Sequence, residues 1–130
     1  KENAILNVVS VDFFQQDILK TKHLPKQYNV IISNPPYVRE LEKKAMQTNV
    51  LNYEPASALF VSDKDPFLFY RKIAQLAKTY LAPNGLLYFE INEYLSKDLV
   101  TMLETIGFFD VVVKKDIFGK DRMIKCSKDE

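Results

Sequence analysis

The chain has 130 residues, 47% of them hydrophobic and 27% charged, the balance of one soluble folded domain rather than of a disordered tract. A formal net charge of +1 gives no strong field toward nucleic acid or an anionic membrane, and no apolar run approaches the roughly 20 residues of a membrane span. A single cysteine, Cys126, rules out an internal disulfide and fits a reducing, cytoplasmic setting, and a single histidine, His23, leaves no metal cluster and no Ser/His/Asp set to assemble.

Lys1-Glu2-Asn3-Ala4 reads as the end of a helix cut from a longer protein, with nothing of a signal peptide about it. Residues 8–14, Val-Val-Ser-Val-Asp-Phe-Phe, are β-branched and aromatic, which predicts a strand. Residues 15–27 are polar, contain Asp17, His23 and Pro25, and read as a connector. Residues 28–33, Tyr-Asn-Val-Ile-Ile-Ser, predict a buried strand. Residues 38–64 are long and mixed, with a short helix over 39–46 and no sustained period after it. Such long irregular segments in small domains are often functional.

Asp65 reads as an N-cap with Pro66 in the first helical position. Phe67, Tyr70, Ile73, Ala74, Ala77 and Leu81 then follow at helical spacing as a core stripe, and Pro83-Asn84-Gly85 ends that helix. Residues 86–91, Leu-Leu-Tyr-Phe-Glu-Ile, are apolar on both faces, the mark of a central strand. A second helix is predicted from about 93 to 106 with Gly107 as its C-cap. Two further strands, 108–115 and 122–126, are joined by residues 116–121. Cys126 falls in the last of them and reads as a small buried side chain rather than a nucleophile. The order of elements predicts an α/β sheet, mostly parallel with an antiparallel ending.

Asn34-Pro35-Pro36-Tyr37 carries the chemistry. The two prolines have no N–H to give to a sheet ladder and push the residue before each out of the helical region. The chain therefore leaves the 28–33 strand abruptly and stiffly. The Asn34 side chain and the Pro35 carbonyl remain as acceptors for the two coplanar N–H bonds of an amide or aromatic amine, and Tyr37 offers a ring to lie against it. Asn-Pro also starts ordinary turns and Pro-Pro stiffens ordinary connectors. The position favours the functional reading, because ligands of open α/β sheets bind beyond the carboxyl ends of strands.

Residues 31–38, centred on Asn34-Pro35-Pro36-Tyr37, resemble the HemK/PrmC family, the glutamine N5-methyltransferases of peptide chain release factors. Three more stretches resemble it in the same order: Tyr53-Glu54-Pro55-Ala56-Ser57-Ala58-Leu59-Phe60, Phe89-Glu90-Ile91, and residues 115–122 with Asp116, Gly119, Asp121 and Arg122. The resemblance implies an incomplete Rossmann-like class I methyltransferase sheet, closed by an antiparallel C-terminal hairpin. It implies that Asn34 and the Pro35 carbonyl accept from a substrate glutamine amide, with Pro36 and Tyr37 packed beside it, and that Glu54 orders the substrate loop or anchors it. Asp17 would accept from the adenine amino group of S-adenosylmethionine and Ile18 would cover the ring, with Asn34 nearby; Asp17 reads equally well as a helix cap. Glu90 reads as a buried, paired carboxylate, and Arg122 as a partner of Asp116 or Asp121.

Two departures from the family qualify this. Asn92 stands where the family has glycine after Glu-Ile. The three glycines, Gly85, Gly107 and Gly119, are scattered, so the Gly-rich cofactor turn of the family has no counterpart, nor do its N-terminal substrate-binding helices. The expectation is that residues 1–130 are the C-terminal portion of one catalytic domain, inactive by itself, whose parent methylates a release factor. A nucleic-acid amino-methyltransferase and a non-catalytic interaction module are the alternatives. Self-association through an exposed edge of the 28–33 strand is expected as well.

Overall fold

The computed structural model describes residues 1–45 and 55–129. Its elements are α1 (Glu2–Leu6), β1 (Tyr28–Ser33), β2 (Val38–Arg39), a 3₁₀ turn (Glu40–Ala45), α2 (Ala56–Leu59), β3 (Phe60–Val61), α3 (Leu68–Tyr80), β4 (Leu81–Glu90), a 3₁₀ turn (Glu93–Leu95), α4 (Ser96–Ile106), β5 (Phe109–Lys115) and β6 (Asp121–Ser127). Four strands form one sheet in the order β1-β4-β6-β5. β1 runs parallel to β4, while β4–β6 and β5–β6 are antiparallel. β2 and β3 make a separate two-residue parallel pair.

The core lies between one face of this sheet and the helices α3 and α4. Tyr70, Ile73, Ala74 and Ala77 from α3 and Leu99 and Leu103 from α4 meet Leu87, Phe89, Ile91, Ile124 and Cys126. Alternation along β4 explains the layering: Leu87 and Phe89 are buried, while Leu86, Tyr88 and Glu90 are half-buried. On the opposite face, Ile32 of β1 is 77% exposed, and Val30, Val112 and Met123 are exposed too. The central strand predicted to be covered on both faces is covered on one, among the described residues.

Local chemistry fixes the boundaries. α4 ends at Gly107, which takes a left-handed φ of 97°. Its N–H bonds to the Glu104 carbonyl and that of Phe108 to Leu103, closing the last turn in a Schellman arrangement. Between α3 and the straight part of β4 the chain loops out: Tyr28 pairs with Leu81, and Val30 already with Leu86. Gly85 is required in that loop, because a Cβ there would sit 2.7 Å from the Ala82 carbonyl oxygen.

Several expectations need correction. Residues 8–14 form no strand; Val8, Val11, Phe13 and Phe14 are exposed and the segment has no ladder partner among the described residues. β-Propensity needs a neighbouring backbone to act on, and the segment lies in neither sheet among the described residues. α3 begins at Leu68, two residues later than the Asp65 cap and Pro66 start predicted. Asp65 instead forms a two-pronged ion pair with Arg71, at 2.9 and 3.1 Å, and its carbonyl accepts from Leu68 N–H. The predicted 39–46 helix is the tighter 3₁₀ turn Glu40–Ala45, preceded by β2. The second predicted helix begins as a 3₁₀ turn and becomes α-helical at Ser96.

Candidate active site

β1 ends at Ser33, which is in register with Phe89, so Asn34-Pro35-Pro36-Tyr37 emerges at the carboxyl end of the sheet beside the end of β4. Pro35 is buried, Pro36 and Tyr37 are half-buried, and Asn34 is exposed. The prolines turn the chain away from the ladder, and three residues later β2 begins its own pairing with β3.

Tyr37 is held at both ends. Its hydroxyl donates to Glu90 Oε1 at 2.5 Å, and its carbonyl accepts from Asn92 Nδ2 at 3.1 Å. Asn92, 5% exposed, also donates to Glu42 Oε2 at 2.8 Å, and its Oδ1 accepts from the Tyr94 N–H at 3.0 Å. Glu42 receives the Arg39 N–H at 2.9 Å and Arg39 Nη2 at 2.8 Å. Burial works against the Glu42 charge, yet the Arg39 and Asn92 hydrogen bonds win and hold its carboxyl below the usual range. For Tyr37, burial and then the hydrogen bond to Glu90 push the phenol up to about 12. Beneath this network the Tyr70 hydroxyl donates to the Glu90 carbonyl at 3.0 Å.

A hollow on the exposed sheet face borders the turn beside Ile32, Asn34, Tyr88 and Met123, and two others flank it. One, of about 380 Å³, is lined by Ile18, Ile31, Asn34, Pro35, Phe69 and Ile73 among others, and is mainly apolar. It brings Ile18 together with Asn34 and Pro35 across a polar connector. The other, of about 560 Å³, lies on the Tyr37 side between Arg39, Glu42, Tyr94, Lys120 and Arg122. Its three cations are each paired with a carboxylate: Arg39 with Glu42, Lys120 with Glu93 at 2.8 Å, and Arg122 with Asp116 at 3.2 Å.

Asp17 caps its own turn: Oδ1 accepts the Leu19 N–H at 3.0 Å and Oδ2 lies 3.4 Å from Lys20. The residue caps a turn and not a helix, and Ile18, not the Asp17 carboxylate, lines the hollow. Glu54 lies outside the described residues. Arg122 pairs with Asp116, and Asp121 with Lys115 at 2.9 Å, across the hairpin. Cys126 is fully buried, and burial pushes its thiol up to about 12, which suits packing and not nucleophilic work. His23 bonds the Tyr80 hydroxyl at 2.9 Å. Among the described residues no cluster of metal-ligating groups occurs, and no helix is long and apolar enough to cross a membrane.

Sequence reasoning did not find Asn92 or Glu42. Asn92 registers in the sequence only as a departure from a family glycine. The available signal was its place two residues after Glu90 at a strand end, which puts both side chains on one face.

No family model matches the chain. It is 54% identical over 127 residues to a release factor glutamine methyltransferase of Flavobacterium psychrophilum, covering 98% of this chain and 45% of that protein. It is 48% identical over 129 residues to a release factor glutamine methyltransferase of Bacteroides thetaiotaomicron, covering 98% and 46%. The chain thus spans about half the length of the curated relatives it matches. In fold it is similar to the release factor-specific protein-(glutamine-N5) methyltransferase of Alicyclobacillus acidocaldarius, with a TM-score of 0.50 and 22% identity over 80% of this chain and 50% of that one. A methyltransferase of Pyrococcus furiosus gives a TM-score of 0.54 at 16% identity, covering 82% and 44%.

Proposed function

We propose, from the premise that this chain is homologous along its length to the release factor glutamine methyltransferases, that the protein carrying it methylates the side-chain amide of a glutamine in a peptide chain release factor, with residues 1–130 forming the C-terminal portion of its catalytic domain. The observation that carries the reading is the Asn34–Tyr37 turn, which stands at the carboxyl end of β1 with a hollow on either side.

An amide nitrogen is a poor nucleophile, because its lone pair is delocalised into the carbonyl. The Asn34 side chain and the Pro35 carbonyl accept its two N–H bonds and aim the nitrogen, and Tyr37 packs against the amide plane. Positioning of this kind contributes several kcal/mol, and acceptors facing the charge that develops on nitrogen add electrostatic stabilisation. No strong base is needed before transfer, since the proton leaves from the far more acidic methylated species.

S-adenosylmethionine, when bound, supplies the methyl group. The hollow lined by Ile18, Pro35, Phe69 and Ile73 is apolar and, at about 380 Å³, large enough for an adenine ring. Ile18 and Asn34 are the residues assigned to that side of the cofactor; Asp17 contributes only what its exposed Oδ2 offers.

A peptide substrate is favoured over nucleic acid by the pairing of Arg39, Lys120 and Arg122 within the hollow on the Tyr37 side. A phosphate entering that hollow would have to displace a carboxylate from each of these three. The test is Asn34→Ala in the full-length protein, assayed for methyl transfer to a release factor. Losing one preorganised contact to the reacting group is expected to lower turnover by about 10²–10³-fold while cofactor affinity holds. Near-normal turnover would remove Asn34 from the mechanism, and salt-sensitive binding of DNA or RNA would favour a nucleic-acid substrate.

A further inference from the structure

Tyr37 follows two prolines that stiffen the backbone before it but do nothing to fix its own side chain. The ring must be held by something else. Residues 90, 91 and 92 supply it. In extended backbone alternate residues share a face, and Asn92 keeps extended angles of φ −71° and ψ 125°. Glu90 and Asn92 both reach Tyr37, one at the hydroxyl at 2.5 Å, the other at the carbonyl at 3.1 Å. Ile91 between them is fully buried in the core, and its N–H bonds the Arg122 carbonyl at 2.9 Å. The Glu90 backbone is itself tied to the buried Tyr70 hydroxyl at 3.0 Å. The fixture is therefore rigid where it meets the core and polar where it meets the site.

We propose that Glu90 is a positioning residue: with Asn92 it clamps Tyr37 at both ends and so sets the plane against which the substrate amide lies. This deepens the glutamine-methyltransferase reading and, for its kinetic consequence, rests on it. A hydroxyl bonded to a carboxylate at this distance is among the stronger hydrogen bonds available to a side chain. Asn92 extends the clamp to Glu42 and Arg39, so the first turn beyond β2 is tied to the same point.

Two measurements test it. In the full-length protein, Glu90→Gln keeps an acceptor oxygen and is expected to hold kcat within about threefold, whereas Glu90→Ala lowers kcat about tenfold, or roughly 1.4 kcal/mol, with KM little changed. Tyr37→Phe should give a similar loss, and the double variant Tyr37→Phe/Glu90→Ala no more than the larger single loss, because both remove one contact. Additive losses, or full activity in Glu90→Ala, would overturn the clamp. The second measurement does not depend on the reaction. In the 130-residue chain with ¹³C-labelled tyrosine, the Tyr37 hydroxyl, which faces Glu90, Arg122 and Tyr70, is expected to titrate well above ordinary tyrosine and to fall in Glu90→Gln. Identical titration in both chains refutes the contact. If the unsubstituted full-length protein methylates no release factor, the functional reading fails alone, and the titration decides the clamp.

Discussion

Removing a single oxygen from Tyr70 tests how the core supports the site. The ring is fully buried and meets Phe89 edge-on, with centroids 5.1 Å apart and planes at 89°. Its hydroxyl donates to the Glu90 carbonyl at 3.0 Å. Tyr70→Phe keeps the ring and nearly all its volume, so no cavity term of consequence enters. What is lost is one buried hydrogen bond, with a carbonyl left short of that donor, a cost of about 1–2 kcal/mol. Tyr70→Ala removes the ring as well and is expected to cost about 3–5 kcal/mol, as large-to-small aromatic changes in cores do. Urea unfolding of the 130-residue chain, followed by far-ultraviolet circular dichroism, reads both. At a slope of about 1.5–2 kcal/mol/M, Tyr70→Phe should lower the midpoint by roughly 0.5–1.3 M with the slope unchanged. A midpoint equal to that of the unsubstituted chain would show that the hydroxyl contributes nothing at Glu90, and the support assigned to Tyr70 would fall. A shift as large as that of Tyr70→Ala would refute the separation of hydrogen bond from packing.

Three further outcomes are expected. The Tyr37 phenol binds its proton more tightly in the folded chain, pushed up to about 12, than in the unfolded chain, where it is about 10; its contribution is therefore complete below about pH 10 and is lost as pH rises toward 12. Tyr37→Phe should accordingly flatten the loss of stability between these values, as measured by thermal unfolding in alkaline buffers, and an unchanged slope would contradict the raised phenol. Gly107→Ala, at a φ of 97°, should destabilise the chain by about 1–2 kcal/mol through strain at the α4 C-cap, whereas an unchanged melting temperature would deny that this conformation is kept. The free edge of β1, with Ile32 and Val30 exposed beside it, should pair between copies: light scattering is expected to give a mass above 15.1 kDa, reduced by Ile32→Lys, and a strictly monomeric chain at high concentration would refute it.

Residue pattern alone determined much of the architecture. The apolar stripe from Tyr70 to Ala77 and the inward positions of 95–106 specify two amphipathic helices, and Gly107 the boundary with β5, because these signals act within one or two turns; Leu81, read as the last of the first stripe with Pro83-Asn84-Gly85 as its stop, instead opens β4. The Asn-Pro-Pro-Tyr turn was legible too, since proline restricts backbone and removes N–H wherever it stands. Arg122 was read as a partner of Asp116 or Asp121 across the hairpin, and the structure selects Asp116. What the sequence left open depends on neighbours distant in the chain. Residues 8–14 have every local mark of a strand, yet a strand exists only when another backbone lies alongside, and none does among the described residues. Val38–Arg39 and Phe60–Val61 are too short to show a period, and only their mutual pairing makes them strands. Asn92 and Glu42 stand 50 positions apart and carry no common motif. Tertiary structure alone brings them to Tyr37, because a buried polar side chain takes its meaning from the partners that packing delivers to it.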